Sequence, residues 1–339
     1  VRPTRDDASL VGRSAANTMT TVALADVRAA HDRIRPHVHR TPVFTSRALS
    51  ELVGADLAFK CDNLQRAGSF KLRGALNAVL SLDDATAARG VATHSSGNFG
   101  AALALAAAIR GIPAYIVVPQ NAPRIKRAAI DGYGGIVTEC ESNVPAREAA
   151  LDHVVARTGA HPIHPYDDAR IVAGQATATV ELLEQVRDLE QIWVPVGGGG
   201  LASGAAVAAA GIAPSVRVVA AEPANADDAY RSLASGRIEP MSNPATIADG
   251  LRTPLGTINF AILSTHGVTV ELASEAGIVR AMRLMLERMK LVVEPSGAVP
   301  LAALLEAKAS RKAKRIGVLV SGGNVDLDAL ADLLEGDRG

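Results

Sequence analysis

Cysteine is scarce. Only Cys61 and Cys140 occur in 339 residues, and they form no metal-ligand or redox spacing. A disulfide framework is not expected, and a reducing, cytoplasmic setting fits. Net charge is absent too: 35 lysines and arginines balance 35 aspartates and glutamates. Binding nucleic acid calls for a basic excess to meet phosphates, so no such partner is expected. One basic cluster occurs, Lys308, Arg311, Lys312, Lys314 and Arg315. It is expected to cap the C-terminal end of a helix ahead of a strand at 316–320. Long apolar runs are missing as well. No stretch reaches the roughly 18 apolar residues that cross a bilayer. The longest candidate, 99–109, is mostly alanine. No apolar segment follows the charges near residue 1, so no signal peptide is expected there. Residues 1–22 read as a loose tail.

What is present is an alternation. Short β-branched runs are expected as strands at 57–61, 114–118, 135–139, 192–196, 216–220 and 317–320. Helical stretches are expected at 100–110, 145–157, 169–187, 201–210, 274–290 and 298–309. Apolar strands between helices indicate an α/β protein with buried, largely parallel sheets. The length suggests about two domains, and 48% apolar residues supply a sizeable core.

Chemistry concentrates in four places. Gly197, Gly198, Gly199 and Gly200 follow a strand and precede an alanine-rich stretch from Leu201. Four glycines let backbone N–H groups converge on an anion, and a helix N-terminus adds positive potential. The same run approximates a dinucleotide fingerprint, with Glu222 where a ribose-binding acid would sit, so a nicotinamide enzyme competes on this segment. The loop "HSSGNFG", His94 to Gly100, offers several donors at a helix start and suits a carboxylate. "SGGN", Ser321 to Asn324, again places a hydroxyl at the end of a strand. Lys71 sits in the apolar context Phe70, Leu72, Ala75 and Leu76. A desolvated lysine has a lowered pKa and attacks carbonyls. A phosphate-bearing aldehyde, pyridoxal phosphate, would use all four features, whereas a nicotinamide would not.

The motifs "SFKLRGALNAV", "THSSGNFG", "GIPAYIVVPQ", "VPVGGGGL", "AAEPANADDAY", "TIADG", "ERMKLVVEPS" and "VSGGNVD" span nearly all of 23–330. With them the chain resembles the fold-type II pyridoxal-phosphate enzymes of the serine racemase and serine/threonine dehydratase family, which share the tryptophan synthase beta-like fold. The resemblance implies that Lys71 bonds to the cofactor aldehyde and, once released, acts as base. It places Phe70 against the cofactor ring, Asn98 on its phenolic oxygen, Gly197 to Leu201 around its phosphate, and Ser321 at its ring nitrogen. Gly250 and Glu294 line the cofactor. Ser95, Ser96, Gly97, Asn98 and Phe99 form the substrate side, with Arg147 closing over it, and Ser96 is a second acid/base candidate. Glu222, Ala226 (through its carbonyl) and Asp228 match a divalent-cation site suited to Mg²⁺, Ca²⁺ or Mn²⁺. His161 and His164 match no family role.

The implied architecture is a large cofactor domain, 23–88 and 167–339, and a small mobile substrate domain, 89–166. The implied activity is dehydration of a β-hydroxy-α-amino acid to an α-keto acid and ammonia, by a homodimer with no membrane or nucleic-acid partner. Serine/threonine dehydration or serine racemisation is the alternative. Phe99 departs from the family, where histidine is usual, and suggests a bulky or aromatic substrate such as L-threo-3-phenylserine. Ala101 and Tyr166 replace the glutamine and asparagine of the family's nucleotide-effector site, so activation by ATP is not expected.

Overall fold

The structure, a computed structural model, describes residues 22–335 apart from 96, 121, 123, 243 and 308–312, and leaves out the side chains of 124 and 144. Ser96, the tail through residue 21, and Lys308, Arg311 and Lys312 lie outside the described residues. Val22, at the end of the expected tail, is buried at 8% exposure.

Ten strands occur among the described residues: β1 (Val43–Thr45), β2 (Asp56–Cys61), β3 (Val91–His94), β4 (Ala114–Pro119), β5 (Ile136–Cys140), β6 (His161–Pro162), β7 (Gln191–Pro195), β8 (Arg217–Pro223), β9 (Thr269–Ala273) and β10 (Arg315–Val320). They form a six-stranded sheet, ordered β1-β2-β10-β7-β8-β9, and a four-stranded sheet, ordered β5-β4-β3-β6. β1 runs antiparallel to β2 at the edge. Every other strand pairing is parallel.

The apolar runs explain the central strands. All of β7 is buried, and so is β10 beyond its first residue, because helices cover both faces. One face packs against the helix Pro295–Glu306 in a core that contains Phe59, Trp193, Val299 and Leu301. Trp193 lies at the centre with its indole N–H on Gln191 Oε1 at 2.9 Å, so its polar atom is satisfied. The other face packs against Gly200–Ile212, whose small side chains let the backbone approach closely. The helices Lys71–Leu80 and Asn98–Arg110 share a core with the four-stranded sheet.

Local rules set several ends. Ser46, Asn143, Asp168 and Ser274 each accept a backbone N–H as N-caps. The helix expected at 298–309 begins earlier, at Pro295, where proline's missing N–H costs nothing. The helix expected at 274–290 is α-helical only over Glu275–Leu284 and then widens into a π turn, Met285–Met289. β1, β3, β6 and β9 fall outside the expected strands. They are short or half-exposed and are defined by their sheet partners rather than by an apolar pattern.

Candidate active site

The loops after β3, β7 and β10 all leave the C-terminal ends of their strands and meet around one cavity of about 580 Å³. Lys71, Asn98, Gly198, Glu294 and Ser321 line it. Open α/β sheets bind ligands at these strand ends.

Lys71 is the first residue of its helix. Its approach is fixed by the last strand's loop. Phe70 N–H donates to the Ser321 carbonyl at 2.9 Å, and Ser69 bridges Gly322. The Lys71 ammonium lies 4.9 Å from the Phe70 ring centroid and has no hydrogen-bond partner among the described residues. Burial pushes it down to about 8, with the Glu294 carboxylate opposing the shift. A helix N-terminus also disfavours a cation. The amine is thus neutral far more often than an ordinary lysine. Trapping of an aldehyde on Lys71 by borohydride is expected to be half-maximal near pH 8, because the neutral fraction rises with pH. Glu294→Gln removes the opposing charge and is expected to move that midpoint lower. A midpoint near 10 in the unaltered protein would contradict this reading.

Glu294 precedes the helix Pro295–Glu306. Its Oε1 accepts Asn98 Nδ2 at 2.6 Å, and Lys126 Nζ stands 3.9 Å from Oε2. Oε2 is buried without a hydrogen bond among the described residues. Burial raises this carboxyl to about 7, against the pull of Lys126. Asn98 is held from a second side, since its Oδ1 accepts Asn324 Nδ2 at 3.0 Å. The loops after β3 and β10 therefore converge on Asn98 and Glu294. Lys126 was missed in the sequence. It is 6% exposed and pairs with Asp249, 123 residues away. Asp249 lies within the quoted "TIADG", beside the cavity-lining Gly250, and that adjacency was the available signal.

The four-glycine run lines the cavity, and Gly200 opens the helix Gly200–Ile212. The first N–H groups of a helix have no intrahelical partner, so this turn presents donors to an anion. The glycines also have a second cause. A Cβ at Gly198 would lie 2.3 Å from the Tyr166 ring, and one at Gly199, where φ is +95°, would lie 2.6 Å from Asn259 Cβ. Tyr166 stacks edge-on against His164 at 4.5 Å. His164 Nδ1 accepts the Asp167 N–H at 2.9 Å, so it shapes this loop and lines the cavity despite matching no expected role.

On the substrate side, Ser95, Gly97, Asn98 and Arg147 line the cavity, and a Cβ at Gly97 would meet nothing within 4 Å. Phe99 also lines it but is 2% exposed and belongs to the core with Leu72 and Ile163. Leu201 and Gly250 line the cavity too, and Gly250 N–H donates to Ser296 Oγ at 3.0 Å.

Glu222 and Asp228 lie outside the cavity lining, close enough for Glu222 to feel the Asp228 carboxylate, and Ala226 is buried in the turn between them. Glu222 accepts the N–H groups of Ala229 and Tyr230, at 3.0 and 2.8 Å. Asp228 Oδ2 accepts Leu255 N–H at 2.8 Å, while Oδ1 is buried without a partner among the described residues. Burial pushes Glu222 up to about 8 and Asp228 to about 6. Burial prevails in Asp228 over the pull of the Arg231 guanidinium, and the two buried carboxyls offer oxygen donors of the kind hard divalent ions take. No group of three or more His, Cys, Asp or Glu suited to a metal occurs among the described residues.

Comparison with known proteins bears on this geometry. Residues 34–322 match the family model "Pyridoxal-phosphate dependent enzyme". The chain is 50% identical over 305 residues to a beta-hydroxyaspartate dehydratase of Paracoccus denitrificans, covering 90% of this chain and 97% of that protein. The maize serine racemase structure superposes with a TM-score of 0.89 at 44% identity, over 93% of this chain and 97% of that one. Threonine deaminase isoform 2 from Solanum lycopersicum gives 0.85 at 31% identity, over 92% and 86%. With a lysine, a glycine cradle and two polar loops on one fold-type II scaffold, the chain belongs to the pyridoxal-phosphate dependent enzyme family.

Proposed function

We propose that the protein dehydrates a β-hydroxy-α-amino acid to an α-keto acid and ammonia. The observation that carries this is the buried Lys71 amine lining one cavity with the glycine run and with Ser95, Gly97 and Asn98 of the loop expected to take a carboxylate. Lys71 would hold the cofactor, Gly197 to Leu201 its phosphate, Phe70 and Asn98 its ring, and Ser321 its ring nitrogen, with Gly250 and Glu294 alongside. Pyridoxal phosphate, when bound, withdraws electrons from the substrate's α-carbon. The donors of Ser95 to Asn98 and the Arg147 guanidinium orient the substrate carboxylate. The free Lys71 amine takes the α-proton, and the β-hydroxyl leaves as water. The released enamine tautomerises to an imine, and a second water converts it to keto acid and ammonia. A hydroxyl rather than a carboxylate at Ser321 does not stabilise a protonated ring nitrogen, which favours prompt loss of the β-group.

The cavity points to a substrate with a second carboxylate. Lys126, Arg147 and Arg252 all line it, and the dehydratase relative is named for β-hydroxyaspartate. Aromatic substrates such as L-threo-3-phenylserine are the second reading, favoured by Phe99 in the lining. Its 2% exposure leaves little face for a phenyl group. Keto-acid release decides between them. A kcat/KM for β-hydroxyaspartate at least about tenfold above those for L-serine, L-threonine and phenylserine is expected. Faster turnover of phenylserine would favour Phe99, and faster serine turnover or D-serine formation would favour a dehydratase or racemase acting on serine.

We infer further that Glu222, the Ala226 carbonyl and Asp228 bind Mg²⁺, Ca²⁺ or Mn²⁺ and lock the loop after β8. Mg²⁺ at millimolar concentration is expected to raise the melting temperature, and Glu222→Gln to abolish that rise. An equal rise in the variant would refute the site. On the family resemblance the enzyme is proposed to act as a homodimer, for which sedimentation would give twice the chain mass.

A further inference from the structure

Two residues beyond Lys71, the same helix carries Arg73, which is 0% exposed and lines no part of the cavity. Its guanidinium is gripped on two sides. Nε and Nη2 donate to Asp62 Oδ2 and Oδ1, at 2.6 and 2.9 Å. Nη1 and Nη2 donate to Glu181 Oε1 and Oε2, at 2.7 and 2.9 Å. Nη1 also reaches Thr177 Oγ1 at 3.3 Å. Thr41 Oγ1 donates to Asp62 Oδ1 at 2.6 Å. Lys60 Nζ donates to Glu181 Oε2, Gln185 Oε1 and the Thr41 carbonyl, at 2.6, 2.8 and 2.8 Å. Two cations and two carboxylates thus balance in a space where none is more than 3% exposed.

Stability is a weak explanation for such a cluster, since apolar side chains of the same volume often serve a core as well. Directionality is a better one. The helix Lys71–Leu80 crosses Ala169–Gln185 where Gly74 faces Gly174, and a Cβ on Gly174 would lie 2.6 Å from Gly74 Cα. Where the two glycines meet there are no ridges to interlock, and beside them the crossing is tied by two polar contacts, Gly74 N–H to Gln175 Oε1 at 3.1 Å and Asn77 Nδ2 to the Arg170 carbonyl at 2.7 Å, both farther along the helix from Lys71 than Arg73. The planar fork of Arg73 adds the contact nearest Lys71 and the one with fixed planes. It ties the helix to Asp62, just past β2, and to Glu181 on the crossing helix, in fixed planes.

We propose that Arg73 is a positioning residue for Lys71. Through Asp62 and Glu181 it sets the roll of the helix start, and so the point in the cavity where the Lys71 amine sits. The inference rests on Lys71 being the residue that holds the cofactor, and the test separates the two.

The experiment uses holoenzyme of the unaltered protein, of Arg73→Lys, which keeps the charge and loses the fork, and of Thr41→Val, which keeps every charge and the side-chain shape. Borohydride trapping with peptide mapping shows which lysine holds the cofactor. The pH midpoint of the cofactor absorbance, kcat and KM are then measured on the substrate turned over fastest. With Lys71 trapped, Arg73→Lys is expected to shift the midpoint, lower kcat by about tenfold or more, and leave KM within about threefold. Unchanged midpoint and kcat, even with a lower melting temperature, would reduce the cluster to a structural role and overturn the proposal. If Arg73→Lys yields no folded protein, Thr41→Val decides, with a drop in kcat of about threefold and a displaced midpoint expected; values equal to those of the unaltered protein overturn it. Trapping at a lysine other than 71 in the unaltered protein would overturn the underlying reading instead.

Discussion

Lys71→Met is expected to abolish turnover while leaving the cofactor-free protein as stable as before, or more so. The activity side follows from the two tasks placed on one amine. A positioned base alone contributes roughly 10²–10⁴-fold, and the attachment of the cofactor is lost with it, so kcat should fall by about 10⁴-fold or more. The stability side follows from the lowered pKa. The Lys71 amine sits at about 8 in the folded chain, below its ordinary value. The folded state therefore binds fewer protons than the unfolded one between those two values, so stability falls as pH drops from the ordinary value toward about 8 and levels off below it. At neutral pH the buried ammonium is a net cost. Methionine keeps the apolar stem and removes the charge. Thermal melts of the two apoproteins at pH 7 and pH 9.5 check this: the variant's advantage should be larger at pH 7. A variant that loses stability at both would mean the ammonium has a partner that offsets its burial.

Gly174→Ala is expected to be the most damaging single methyl at the helix crossing. The new Cβ would lie 2.6 Å from both the Arg73 carbonyl and Gly74 Cα, and 2.9 Å from Asn77 Cβ. Two of these are backbone atoms, so relief requires the helices to separate. Overpacking of this kind costs about 1–3 kcal/mol or more, and the gain of alanine over glycine in a helix returns at most about 1 kcal/mol. A net loss of roughly 2 kcal/mol is expected, together with reduced kcat, because separation displaces the helix that begins at Lys71. Gly74→Ala is the control. Its Cβ would first meet a side-chain end, Gln175 Nε2 at 2.4 Å, and its nearest backbone contact, the Ile171 carbonyl, is farther at 3.0 Å. Denaturant melts of both variants decide, and equal losses would show that the crossing yields as readily as a side chain.

The parts of the site legible in the sequence are those carried by contiguous residues. Lys71 in its apolar setting, the glycine run and the loops at 94–100 and 321–324 each combine a backbone requirement with a polar group inside a few positions. The parts that escaped reading are assembled across long separations. Lys126 and Asp249 are 123 residues apart, and Arg73 and Glu181 are 108 apart. Nothing local marks Lys60, Asp62, Arg73 and Glu181 as buried, since charged residues are seldom buried without partners and the partners were out of view. Phe99 illustrates the converse. Its substitution for histidine drew attention to the substrate side, whereas its burial places most of its surface in the core. The fold was legible at the level of alternating strands and helices. β6, a two-residue strand paired only with β3, was not, because its pairing rather than its composition defines it.

The position of β10 has a consequence for synthesis. This strand lies inside the six-stranded sheet, between β2 and β7, yet it is the last to leave the ribosome. It follows β2 by about 250 residues, which at roughly 5–20 residues per second is on the order of 10–50 s. The four-stranded sheet is drawn from one uninterrupted stretch and has no such wait. During that interval β2 and β7 lack their shared neighbour, and their facing edges are open to other chains. The same strand brings Ser321 and Gly322 to Phe70 and Ser69. A nascent chain stalled short of β10 would therefore carry Lys71 without the loop that aims it, and would need shielding by chaperones until β10 is made.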